Sequence, residues 1–241
     1  MKQQLKCFTL DDFDKFERVG SRTFCPTGDY TEIKEFPMNC VFGEYSKFGD
    51  KTVFGRRCVL ERYCNIGESC VFGSECYIGK CSYIGDHCSF ASGCEVDDLC
   101  FVGDFCIFQY GCRFGKGLSK IGVFCQFAEL CEFYKGTEFP DNTSFGAMCK
   151  FGDDCTFGKD CQCEDGHTFV DMFKISGLGK RKETVYFWEL EDGSILVRCG
   201  EFCVELTEFY QLIRSKRGDD RNVEEYIRAA DFAKFKIRNL T

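Results

Sequence analysis

The chain has 241 residues, of which 44% are hydrophobic and 16% aromatic, and it carries a formal charge of −8 at neutral pH. That apolar content excludes wholesale disorder and allows one or two domains with a real core. No stretch reaches the roughly 18 unbroken apolar residues of a membrane helix, and Met1 to Lys6 lack the apolar run of a signal peptide, so a cytosolic protein is expected. Residues 1–33 read as an N-terminal cap. Thr9-Leu10-Asp11-Asp12 has the form of a helix start, Phe13 and Phe16 are spaced for one face, and Cys25-Pro26-Thr27-Gly28 makes a turn.

From Lys34 a period of six takes over and runs to Ile175. Cysteines fall at 58, 64, 70 and 76, at 88, 94, 100, 106 and 112, and at 149, 155 and 161 among the 21 of the chain. The units Cys40-Val41-Phe42-Gly43, Cys64-Asn65-Ile66-Gly67, Cys70-Val71-Phe72-Gly73 and Cys155-Thr156-Phe157-Gly158 share the form small-x-large-Gly-x-x. A period of six disfavours both an amphipathic helix and an ordinary meander. Alternation within the unit points the small and the large residue to one side, and glycine is expected to let the chain turn a corner. Three such sides close a coil of about 18 residues, so residues 34–175 make about eight coils, a prism near ~40 Å long at the spacing of neighbouring strands. Between Cys112 and Cys125 there is one step too many, which places a single-residue bulge near Lys116-Gly117-Leu118.

Sorted by side, one edge reads Cys40, Cys58, Cys76, Cys94, Cys112, Cys131, Cys149 and finally His167. Residues directly above one another in parallel strands point the same way, which suits reduced, buried thiols as small fillers better than disulfide partners. Cys161-x-Cys163 is a close pair but lacks histidine partners, so no metal site is expected. Phe fills most of the large positions, and large beside small packs the interior layer by layer.

Residues 176–241 read as a small α+β module. Ser176 to Lys182 looks like a basic linker, and Thr184–Trp188 with Ile195–Cys199 around Glu191-Asp192-Gly193 looks like a hairpin. Two helices follow, one from Thr207 to about Arg217, the other from Asn222 to Arg238 with Val223, Tyr226, Ile227, Ala230 and Phe235 on one side. The negative charge is uneven: residues 28–175 hold 14 basic and 23 acidic side chains, whereas the two ends together add +1. An acidic rod disfavours nucleic acid, whose binding rests on clustered Lys and Arg, and points instead to a basic surface on a protein partner.

The units quoted above resemble the hexapeptide-repeat proteins that wind as left-handed parallel β-helices, with Phe a departure from their usual aliphatic residue. Best known among these are trimeric acyltransferases using acetyl-CoA or acyl carrier protein, so the resemblance implies a homo-oligomer, with a trimer expected. Under that acyltransferase alternative His87, in Asp86-His87-Cys88 at an outward corner, is the one candidate general base. The fold's carbonic-anhydrase branch needs three histidines for its metal, and this chain has two. His167, at an inward position, reads as a packed end residue. More closely, Cys25 to Lys34, the Cys-x-Phe-Gly hexads and the later Thr184–Trp188 and Val197–Phe202 segments look like proteins encoded by phages and prophages. That similarity implies a viral protein in the cytosol of a bacterial host, binding a host or viral macromolecule and antagonising a host defence enzyme. With strict periodicity leaving no loop to shape an acceptor pocket, a non-catalytic binding protein is expected ahead of the enzyme or of a protein that sequesters a small ligand such as a nucleotide. No cofactor is expected outside the acetyl-CoA alternative.

Overall fold

A hexad is as long as one short strand and one corner, so backbone pairing can only come from the coil before and the coil after. The computed structural model, which describes residues 5–115, 120–163, 166–200, 202–215 and 220–238, is mainly β and contains a parallel β-solenoid of about eight turns. Its contacts divide the chain into two units, residues 1–158 and 159–241.

In the first unit, residues eighteen apart pair in parallel register, as in Val41↔Val59, Tyr83↔Phe101 and Ser89↔Ile107. Three faces result. The first runs from Cys40–Phe42 to Lys150–Phe151, the second includes Lys47–Phe48 to Lys120–Ile121, and the third runs from Glu35–Phe36 to Ser144–Phe145. The spacing becomes nineteen at Phe101↔Lys120, Ile107↔Gln126 and Arg113↔Glu132, then returns to eighteen at Gln126↔Ser144. One residue is therefore inserted between Phe114 and Lys120; residues 116–119, where the sequence puts the bulge, lie outside the described residues.

The large positions are interior. On the third face all seven are phenylalanines, Phe36, Phe54, Phe72, Phe90, Phe108, Phe127 and Phe145, stacked ring on ring with centroids 4.4 to 5.7 Å apart. The other two columns are aliphatic in the middle coils, Leu60, Ile66, Ile78, Ile84, Val96 and Val102, and aromatic toward both ends of the unit. There rings from different faces meet edge to face, as in Phe42–Phe48 at 4.9 Å and Phe127–Phe133 at 4.8 Å. Such contacts suit the ring quadrupole and hold each face at a set distance from the next.

The glycine after the large residue acts differently from the sequence expectation. A Cβ on Gly152 would lie 2.1 Å from the Lys135 nitrogen, so glycine is there because the preceding coil's backbone approaches too closely for a side chain. The left-handed backbone of the corner falls two residues later, on Tyr45, Lys51, Arg57 and their equivalents with φ between 55° and 63°.

Residues 22–33, read from sequence as part of the cap, follow the path of a coil: Arg22–Cys25 pairs in parallel with Cys40–Phe42, and Asp29 bridges to Lys47. Buried Tyr30 stacks on Phe48 from one side and under Phe8 from the other, its hydroxyl donating to the Pro26 carbonyl. The helix start at Thr9 amounts to one turn, Leu10–Phe13, where the Asp12 carboxylate accepts from the Thr9 N–H and hydroxyl. Phe13 packs on Phe36, so this turn covers exposed end rings, as a solenoid requires.

In the second unit the hexads have ended. Thr168–Leu178 is an eleven-residue strand pairing antiparallel with Cys161–Gln162 and with Glu183–Leu190, so the stretch up to Ile175 assigned to further coils belongs to a meander. The basic run is the tip of that hairpin, with no linker between. Ile195–Cys199 and Phe202–Glu205 complete the sheet, and Leu206–Ser215 and Asp220–Arg238 pack on it. Val185, Phe187, Val197, Phe209, Ala230 and Ala233 form the core. Phe235, expected on the inner side of the last helix, is 66% exposed; Ala229, Ala233 and Ile237 take the buried positions. Among the described residues no helix is long and apolar enough to cross a membrane.

Phe133 touches Phe114, Phe127, Phe139, Phe145 and Phe151, and its site cannot collapse without moving two coils. Phe133→Ala should cost about 3–5 kcal/mol in denaturant unfolding, and an unchanged midpoint would refute this packing.

Candidate interaction surface

The same register that stacks the interior also stacks the exterior. At the corner between the second and third faces, the left-handed position holds Lys51, Ser69, His87, Phe105, Phe124 and Asn142 in successive coils. His87 stacks on Phe105 at 4.9 Å and 9°, and Phe105 on Phe124 at 5.0 Å and 6°. Phe105 and Phe124 are each 45% exposed. On the adjoining second face Tyr83 stacks on Phe101 at 4.9 Å, and the Lys120 ammonium lies 5.8 Å from the Phe101 ring centre. Exposed Ile107 lies two residues beyond Phe105 on the third face. A stack of three rings at the corner and a stack of two on the adjoining face thus span three coils and make one outward ridge.

One residue before each corner position is a second column: Asp50, Glu68, Asp86 and Asp104, then Val123. Asp50 Oδ1 accepts from the Glu68 N–H, Asp86 Oδ1 from the Asp104 N–H, and Asp104 Oδ1 from the Val123 N–H, each at 2.9 Å. The carboxylates are thereby fixed in a row beside the rings.

His87, the candidate base, belongs to this ridge. Its backbone N–H donates to the Asp104 carbonyl at 2.8 Å, its imidazole is exposed against Phe105, and among the described residues no side chain hydrogen-bonds the ring to orient it. It also lies outside three shallow depressions, one beside Thr27 and Tyr45, one beside Arg113 and Glu132, one beside Phe16 and Pro26. His167 corrects the sequence reading: it is exposed in the second unit, where its carbonyl accepts from the Cys163 N–H, and it does not continue the thiol column.

The thiols are interior. All but Cys7, Cys81, Cys155 and Cys203 are buried, and the 21 cysteines stand as thiols rather than as disulfides. In the Cys40 column each thiol from Cys58 to Cys149 donates to a carbonyl in the coil below, at 3.2 to 3.6 Å. Where a hydroxyl takes the same position, in Ser46, Thr52, Ser82, Thr137 and Thr143, it donates within its own corner, three residues back, at 2.7 to 2.9 Å. The position therefore takes a small side chain with one donor, and the thiol meets that need with the least polarity. Among the described residues no three His, Cys, Asp or Glu side chains gather to hold a metal ion.

No protein family, curated protein or solved structure matches the chain.

Burial pushes the Cys64 thiol up to about 12 and Cys100 up to about 11, from an ordinary value of 9.0. Because the folded pKa is the higher, stability is full below pH 9 and falls as pH rises toward 11–12. Melting temperatures taken from pH 8 to 11 should show this fall, and Cys64→Ser should flatten it. A thiol reagent should label Cys7 rapidly without denaturant and leave the buried columns unmodified.

The ridge is unfavourable for folding by itself. Left-handed backbone costs a side-chain-bearing residue about 1–2 kcal/mol, least for Gly or Asn; other corners use Gly93, Gly111, Gly136 and Asn39, and the coil after Phe124 uses Asn142 at this one. Phe105→Asn and Phe124→Asn should therefore leave the melting temperature unchanged or raise it; a fall of several degrees would make these rings structural.

Proposed function

We propose that this chain is a non-catalytic binding protein, encoded by a phage and working in the cytosol of its bacterial host, that docks a host or viral protein on the ring ridge of its β-helix. The observation that carries the reading is the stack His87–Phe105–Phe124. Large apolar rings in solvent, on backbone that other residues fit better, gain nothing for the fold beyond their mutual stacking. Contiguous exposed apolar surface of this kind serves recognition.

The resemblance to phage and prophage proteins supplies the biological setting, and occupation of a host defence enzyme is the consequence this reading gives it. His87 then has a role without acid–base chemistry, as the first ring of the stack. The acyltransferase alternative would instead need a second prism to enclose acetyl-CoA against His87 and an acceptor in the same groove.

Two measurements separate the readings. The tagged full chain should retain a partner from host lysate, and the double variant Phe105→Asn/Phe124→Asn should lose it while keeping its fold. Calorimetric titration with acetyl-CoA, with native mass in parallel, should give no heat of binding. Micromolar affinity at the mass of a trimer, abolished in His87→Ala, would overturn the binding-protein reading in favour of the enzyme.

A further inference from the structure

Elsewhere on the β-helix, several acidic side chains are matched by basic ones in the neighbouring coil. Glu44 pairs with Arg62 at 2.6 Å, Glu75 with Arg56 and Arg57 at 3.2 and 2.7 Å, Asp98 with Lys80 at 2.9 Å, and Glu132 with Lys150 at 2.7 Å. The ridge column differs. Among the described residues no basic side chain forms an ion pair with Asp50, Glu68, Asp86 or Asp104. Like charges on neighbouring strands repel, and strands of successive coils lie only about 4.8 Å apart, so four consecutive carboxylates are a cost that the other faces avoid. Backbone hydrogen bonds to the Asp50, Asp86 and Asp104 carboxylates offset part of it and hold those three in place.

Rings and acids alternate along the chain here. Tyr83-Ile84-Gly85-Asp86-His87 and Phe101-Val102-Gly103-Asp104-Phe105 each put a carboxylate between an aromatic on the second face and an aromatic at the corner. Lys120, beside Phe101, already shows a cation settled against this set of rings.

We infer that the segment docking on the ridge is an arginine-rich stretch of a protein partner. This rests on the docking role proposed above and names its chemistry. His87 and Phe124 cover the two faces of Phe105, so a guanidinium can lie flat on the face of Phe124 turned away from Phe105 or pass along the outer edges of the stack while its N–H groups reach Asp86 or Asp104, and it sheds water more readily than an ammonium. Successive arginines then meet successive coils, each cancelling one carboxylate of the unpaired row. Nucleic acid is repelled by the same row.

The probes are fluorescein-labelled octa-arginine, octa-lysine and octa-glutamate, titrated by anisotropy into the full chain at 0.15 M salt. Octa-arginine should bind at least about tenfold more tightly than octa-lysine, because only the guanidinium both stacks and forks. Octa-glutamate should not bind. Asp86→Asn/Asp104→Asn and Phe105→Asn/Phe124→Asn should each weaken octa-arginine at least about tenfold, while Glu61→Gln/Glu129→Gln, at the other two corners of the β-helix, should not. Failure of octa-arginine to bind would overturn the inference, as would equal weakening by all three double variants, which would mean diffuse attraction to an acidic rod. If octa-arginine fails while capture of a partner still requires Phe105 and Phe124, docking on the ridge stands and its cationic chemistry falls. If capture is indifferent to those rings, both fall.

Discussion

The inter-coil backbone ladder governs everything else in the β-helix. Each short strand donates to and accepts from the coils on either side, as in Tyr83 N–H to the Cys64 carbonyl and Phe101 N–H to the Ser82 carbonyl, both at 2.9 Å. Pairing in parallel register allows no freedom about which residue lies above which. Whatever occurs at one position of a hexad is brought against its counterpart eighteen residues away, so side chains are organised as columns both inside and outside. The interior exploits this with a phenylalanine stack. The exterior exploits it with charge ladders such as Arg113–Glu132–Lys150 on one face and with rings at one corner.

The cysteines, which draw attention in the sequence, are explained by that ladder without any chemistry of their own. Below each small position a carbonyl of the preceding coil is within reach of a thiol, and a hydroxyl instead turns back to its own corner. Either satisfies its donor at low cost beside the rings. A few outward positions, by contrast, carry a visible cost to the fold: left-handed backbone under Phe105 and Phe124, and carboxylates that form no ion pair among the described residues.

How much of this was legible follows from the range of each interaction. The hexad, the inward columns and the Cys40–Cys149 edge could be read because they repeat within six residues and the interior tolerates few side-chain types. The corner location of His87 was legible for the same reason. Its stacking on Phe105 was not, since the two are eighteen residues apart and the next ring, Phe124, comes nineteen further on, across the inserted residue. The corner was expected at glycine because glycine is the usual signal for a turn, whereas here it marks close approach between coils and the left-handed residue comes two positions later. Past Gly158 the reading failed for a related reason: residues such as Thr168, Val170 and Met172 alternate like hexads over a short window, and only antiparallel pairing shows that they form one long strand.

The sequence by itself determined that the chain winds in units of six, which residues face inward, that the thiols stay reduced and buried, and that a small α+β unit follows. These depend on local alternation and on side-chain size, which act within one or two hexads. Only the tertiary structure decided that His87, Phe105 and Phe124 form one stack, that Asp50, Glu68, Asp86 and Asp104 form no ion pair among the described residues while Glu44, Glu75, Asp98 and Glu132 find arginine or lysine, and that Tyr30 closes a coil of its own. Those outcomes depend on which residues the inter-coil ladder superposes, a long-range register that shifts by a whole residue when a single one is inserted.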